Sequence, residues 1–100
     1  SALEGEFQAL IMAMQSAWIH GHRKVLFEGD SKQLVDIVNK VSLNFGLYNW
    51  ALEIWFWKTK FDEVMFTWVP REENRAADVL AKLSMNLSPS SVYHAFVPLM

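Results

Sequence analysis

Two strand-like runs, 24–28 and 64–69, stand far apart with helical pattern between them, and this spacing most constrains the fold. Val25, Leu26 and Phe27 are apolar without a break, the mark of a central strand covered on both faces. In the second run Val64, Phe66 and Trp68 alternate with Met65, Thr67 and Val69, and Pro70 and Arg71 end it. Strands joined through helices imply an α/β layer fold with helical crossovers.

The helices follow from the apolar spacing. Leu3, Phe7, Leu10, Ile11, Met14, Ala17 and Trp18 recur at intervals of three and four, predicting a helix over 3–19 that Gly21 ends. Gly29, Asp30 and Ser31 break the first strand, and Ser31 is a good N-cap for a helix burying Leu34, Ile37, Val38 and Val41. A third helix over 47–60 carries Leu47, Trp50, Ala51, Ile54, Trp57 and Phe61 on one face. It is apolar nearly all round, because Leu52, Trp55 and Phe56 occupy the other side. A last helix runs over 74–85 with Asn74 as its N-cap. The apolar tail, 92–100, is either an edge strand or a docking arm. We divide the chain into a domain over 1–88 and this tail over 89–100. Two strands make a poor sheet, since independent stability takes three or more with a packed face. A sheet of this kind calls for completion by further strands, from upstream or from another chain.

Composition excludes several classes. A chain of 100 residues with net charge −2 lacks the strongly basic footprint of an autonomous nucleic-acid binder. Without cysteine there is no disulfide framework and no thiolate zinc site. The most hydrophobic region, 43–57, is interrupted by Asn44, Gly46, Asn49 and Glu53, so no transmembrane span is expected. The chain opens at Ser1 in helical pattern with no secretory signal, which suggests a piece of a longer protein. Its aromatics are rather many for a core of this size, leaving some for a partner.

Three acids occupy comparable places: Glu6 on the first helix, Asp30 at a strand end and Asp78 on the last helix. Carboxylates on three elements at one end of a sheet would hold divalent metal for phosphodiester chemistry. Each also has a plainer reading. Glu6 would serve as a solvated helix-face acid, and Asp30 would meet the dipole of the helix that Ser31 opens. Asp78 has no such structural account. Arg71, Arg75 and Lys82, with Arg23 and Lys24, are candidates for phosphate contacts, diluted by Glu72 and Glu73. His20, His22 and His94 read as surface or packing residues. Trp18, Trp50, Trp57 and Trp68 fit a core, while Trp55 and Phe56 lie off the main stripe and are candidate interface residues.

The motifs Glu6-Phe7-Gln8-Ala9-Leu10, Val25-Leu26-Phe27-Glu28-Gly29-Asp30-Ser31, and Trp68-Val69-Pro70-Arg71 with Asn74, Ala77, Asp78 and Leu80 together resemble the ribonuclease H fold. The resemblance spans about 2–85 and is closer to the ribonuclease H-like domains of plant non-LTR retroelement-type proteins. It implies an α/β fold, a five-stranded mixed sheet with helices on both faces, which in this chain would be truncated and is expected to be completed by oligomerisation. It also implies that Glu6, Asp30 and Asp78 are the catalytic and Mg²⁺-binding carboxylates, and that an RNA–DNA hybrid is the substrate. The chain departs from the family pattern in two ways. The first three strands, which bring the central aspartate, are absent, and the loop at 71–73 has no histidine. The expectation is a ribonuclease H-like domain with compromised catalysis, nuclear or cytosolic, forming a homo-oligomer. The alternative is a non-catalytic interaction module on the same scaffold.

Overall fold

A computed structural model describes residues 2–70 and 92–97. Helix α1, Ala2–Ile19, buries Phe7, Leu10, Ile11, Met14 and Ala17, the apolar stripe read from the sequence. Gly21 stops it with φ +88, a left-handed conformation only glycine adopts without penalty. The amides of Gly21 and His22 then close back onto the carbonyls of Trp18 and Ala17, each at 3.0 Å. Strand β1, Lys24–Gly29, follows. Ser31 caps helix α2, Lys32–Val38, its hydroxyl accepting from the Leu34 amide at 3.3 Å. After a 3-10 turn over Phe45–Leu47, capped by Asn44, helix α3 runs Tyr48–Lys58 and strand β2 Glu63–Trp68. Residues Tyr93–Val97 of the apolar tail form strand β3.

The sheet order is β2-β1-β3 and both pairings are parallel. The first strand run is therefore central, as its unbroken apolarity predicts. Of the two readings of the tail, the edge strand is the one observed. It fills the edge of β1 within the same chain, so three strands are reached without a second copy. All described strands are parallel rather than mixed, in keeping with the helical crossover between β1 and β2.

Val25 and Phe27 of β1 share a face with Phe66 of β2 and Val97 of β3, and α1 and α2 pack there. Helix α3 packs against both of those helices. Phe27 is the hub: its ring lies 5.8 Å from Phe66, nearly parallel, and 6.4 Å from Phe61, edge-on. The Asn39 side-chain amide donates to the Phe66 carbonyl at 2.9 Å and ties the end of α2 to β2. The last helix expected over 74–85 lies outside the described residues. None of the described helices is long and apolar enough to cross a membrane.

Three expectations need correction. Val41 is not in the α2 stripe; the helix ends at Val38, Lys40 turns left-handed at φ 63, and Val41 is exposed. Trp18 and Trp68 are not core residues. Each lies at the end of its element, where the periodic face runs out past the packed layer, and they are 37% and 40% exposed. Nor is α3 buried all round: Ala51 and Ile54 face the core, while Leu52 and Phe56 face outward.

Candidate functional site

Because the three strands run one way, their carboxyl ends, Gly29, Trp68 and Val97, lie at one end of the sheet. In open α/β sheets ligands bind beyond this end. Glu6 reaches it from α1 and is only 3% exposed. It lines a crevice with Leu10, Gly29, Leu34, Phe66 and Val97. The space left there is about 20 Å³, room for roughly one water. The crevice is thus a packing gap around the carboxylate and not a substrate pocket. The solvated helix-face reading of Glu6 is excluded by this burial. Holding an ionised carboxylate so deep costs on the order of several kcal/mol unless hydrogen bonds, counter-charges or a metal compensate.

Asp30 follows Gly29 and is half-buried. It is not the cap of α2, a role held by Ser31. The glycine before it has a steric cause: a Cβ on Gly29 would sit 3.1 Å from the Val97 carbonyl oxygen. Close approach of β3 therefore fixes glycine at the position that hands the chain to Asp30. Glu6 and Asp30 come to the same end of the sheet. Asp78, Arg71 and Arg75 lie outside the described residues. Among the described residues, no three His, Asp or Glu side chains are grouped to hold a metal ion. The two acids that are placed offer carboxylate oxygens only, the donor type that suits a hard cation such as Mg²⁺.

One residue of the site neighbourhood, Glu28, escaped the sequence reading. Glu28 is 1% exposed, on the opposite face of β1 from Phe27. Its Oε1 lies 3.5 Å from Nδ1 of His94, whose side chain is also buried. His94 is therefore a packing histidine with an acidic neighbour rather than a surface one. An acid inside an otherwise apolar central strand was the available signal for Glu28. Trp55 and Phe56, the proposed interface pair, part company. The Trp55 indole N–H donates to the Val38 carbonyl at 3.0 Å and the ring is half-buried, with Lys40 Nζ 4.8 Å from its centroid. Phe56 is 58% exposed.

The family description reverse transcriptase-like matches residues 1–84. Among solved structures, ribonuclease H1 from the halophilic archaeon Halobacterium salinarum is similar, with 26% identity and a TM-score of 0.65. That match covers 82% of this chain and 64% of the archaeal one, so the chain spans less than two thirds of that relative. No curated protein matches the chain.

Proposed function

The chain belongs to the reverse transcriptase-like family and has a ribonuclease H-like fold, and from that premise we propose that it is a nucleic-acid-binding module with weak hydrolytic capacity. Its ligand class is the RNA–DNA hybrid. The observation that carries this reading is the delivery of a buried Glu6 and a half-buried Asp30 to the carboxyl end of a parallel sheet. Glu6, Asp30 and Asp78 would hold Mg²⁺, which when bound polarises a phosphate and lowers the pKa of a bound water. The chain's own contribution is to fix the carboxylates. Core packing around Phe7 and Leu10 on α1 positions Glu6, and the Gly29 turn positions Asp30. Arg71 and Arg75 would contact phosphates and set the register of the hybrid.

Catalysis is proposed as weak because the 71–73 loop offers no histidine for proton transfer. His94 does not replace it, being buried beside Glu28 on the far face of the strand. We place the chain, as part of the same proposal, with plant retroelement-type domains acting in the nucleus or cytosol. The test is a labelled RNA–DNA hybrid with Mg²⁺ or Mn²⁺, for the chain and for Asp30→Asn and Asp78→Asn. Retention of hybrid with slow cutting that both variants abolish is expected. Failure to bind hybrid at all would overturn the reading.

One observation favours a second reading, a homo-oligomerisation module. Phe45, Tyr48, Leu52 and Phe56 are all exposed at spacings of three and four along the 3-10 turn and α3. An apolar stripe of this kind marks a contact face, and a second copy would cover it. Light scattering that shows a monomer at high micromolar concentration would remove this reading.

A further inference from the structure

The other end of the sheet has a character of its own. There α1 and α3 both finish, and β1 begins. Trp18, from the last turn of α1, lies between two cations. The Arg23 guanidinium is 4.7 Å from its ring centroid and Lys60 Nζ is 5.8 Å. The same ammonium lies 5.1 Å from the Phe56 ring and 5.4 Å from the Trp57 ring. Arg23 is held in place by donating to the carbonyls of Trp18 at 2.9 Å and His22 at 3.1 Å. Lys58, in the last turn of α3, is exposed on the side that borders Lys40 and Trp55, and among the described residues neither Lys58 nor Lys60 has an ion-pair partner.

Two plainer accounts fall short. Cations collect at helix C-termini because the carbonyl ends there are partly negative, and Lys58 sits in the last turn of α3. That explains Lys58 but not the three aromatic rings around Lys60. Core packing would explain the rings, yet Phe56 is more than half exposed and Trp18 more than a third. Asp62 and Glu63 follow in the chain, their amides bonded to the Arg23 carbonyl, and they are the acids nearest in sequence. Glu63 begins β2 and Asp62 precedes it, so two exposed carboxylates share this end of the sheet with Arg23, Lys24, Lys58 and Lys60, whose cations outnumber them four to two.

We propose that this cluster is a stacking platform for single-stranded nucleic acid, at the end of the sheet opposite Glu6 and Asp30. Exposed rings accept unpaired bases, which all have a π-face, while point charges track the phosphates. A duplex keeps its bases stacked inside and cannot use the rings, so the ligand is the single strand. Lys60 is poised over the rings and exchanges them for a phosphate as a base arrives. RNA and DNA share this chemistry, and the platform reads neither sequence nor the 2′-hydroxyl.

The test is fluorescence anisotropy of labelled twelve-residue oligouridine and oligothymidine with the whole chain in EDTA. Under those conditions the carboxylate reading neither contributes nor is tested. Phe56→Ala is expected to weaken binding by about fivefold, the low end of loss for one stacked base. The double variant Lys58→Ala, Lys60→Ala is expected to reduce the salt slope of log Kd by about 1.4, at roughly 0.7 per single-strand phosphate contact. Lys32→Ala, paired with Asp36 on α2, is the control and should bind as the unaltered chain does. All these side chains are exposed, so the substitutions leave the core alone. Binding of either oligonucleotide with those losses supports the platform. No binding of either one, or equal binding by Phe56→Ala and the double variant, overturns it. Binding of phosphatidylserine vesicles that the same variants abolish, with no oligonucleotide bound, also overturns it, in favour of a membrane surface.

Discussion

Replacing Gly29 by alanine tests whether the tail strand sits where it is placed. The new Cβ would meet the Val97 carbonyl oxygen at 3.1 Å and Val97 Cβ at 4.0 Å. The first of these is a backbone atom of β3, paired through Val97 to Gly29 itself, so it cannot swing aside as a side chain would. The strand must shift by a few tenths of an ångström, and overpacking of this kind costs about 1–3 kcal/mol. Alanine also narrows the unfolded ensemble, which returns about 0.4–1 kcal/mol. The net expectation is a destabilisation of about 1 kcal/mol, seen as a fall in Tm of about 4–8 °C for a domain of this size. The loss should be local. Amide exchange in β3 should quicken by about fivefold, the factor that 1 kcal/mol gives, while the β1–β2 pairs keep their protection. An unchanged or raised Tm with unchanged exchange in 94–97 would show that β3 does not lie against Gly29. The reasoning for that glycine would then fail.

Other outcomes follow from the core and the caps. Phe27→Ala, at a fully buried site between Phe61 and Phe66, should cost about 3–5 kcal/mol in urea denaturation; a cost below about 1 would refute the hub. Ser31→Ala should lose about 1 kcal/mol with the cap of α2, and Ser31→Asp should restore most of it. Lys32→Ala should change stability by less than about 0.5 kcal/mol, because its pair with Asp36 is exposed despite a 2.7 Å contact. Trp55→Phe should lose about 1 kcal/mol with the hydrogen bond to Val38, and a neutral result would mean that bond is not made in solution.

Much of the fold could be read because its signals are local. The period of α1, the glycine after it, the unbroken apolarity of β1 and the cap at Ser31 each act within a few residues. The end of α2 could not be read this way. The apolar spacing continues to Val41, but the chain turns out at Asn39 and Lys40, and only the left-handed φ at Lys40 shows that the stripe has stopped. Trp18 and Trp68 carry the right period yet sit where their elements outrun the core. The acids divide along the same line. Asp30 is legible because it stands at the boundary between β1 and α2, whereas Glu6 lies within α1 and is singled out only by the motif it opens. The Glu28–His94 contact joins residues 66 apart, across a strand pairing that no local pattern announces.

Sheet polarity supplies the last step. With every described strand parallel, one end of the sheet gathers strand termini and the turns that follow them, and the other gathers helix termini and strand starts. Helix C-termini attract cations, and β–α turns tolerate carboxylates near the amides that open a helix. Among the described residues an acidic end and a basic, aromatic end thus arise, in a chain whose net charge is only −2. Overall charge argued against nucleic-acid binding, but it averages over two ends of opposite sign. The field a polyanion meets depends on which end it approaches, because charges beyond about 10 Å are screened at physiological salt. If that holds, oligonucleotide binding should track the Lys58 and Lys60 substitutions and be indifferent to Asp30→Asn. Equal sensitivity to both would mean that a single surface, not two, faces the nucleic acid.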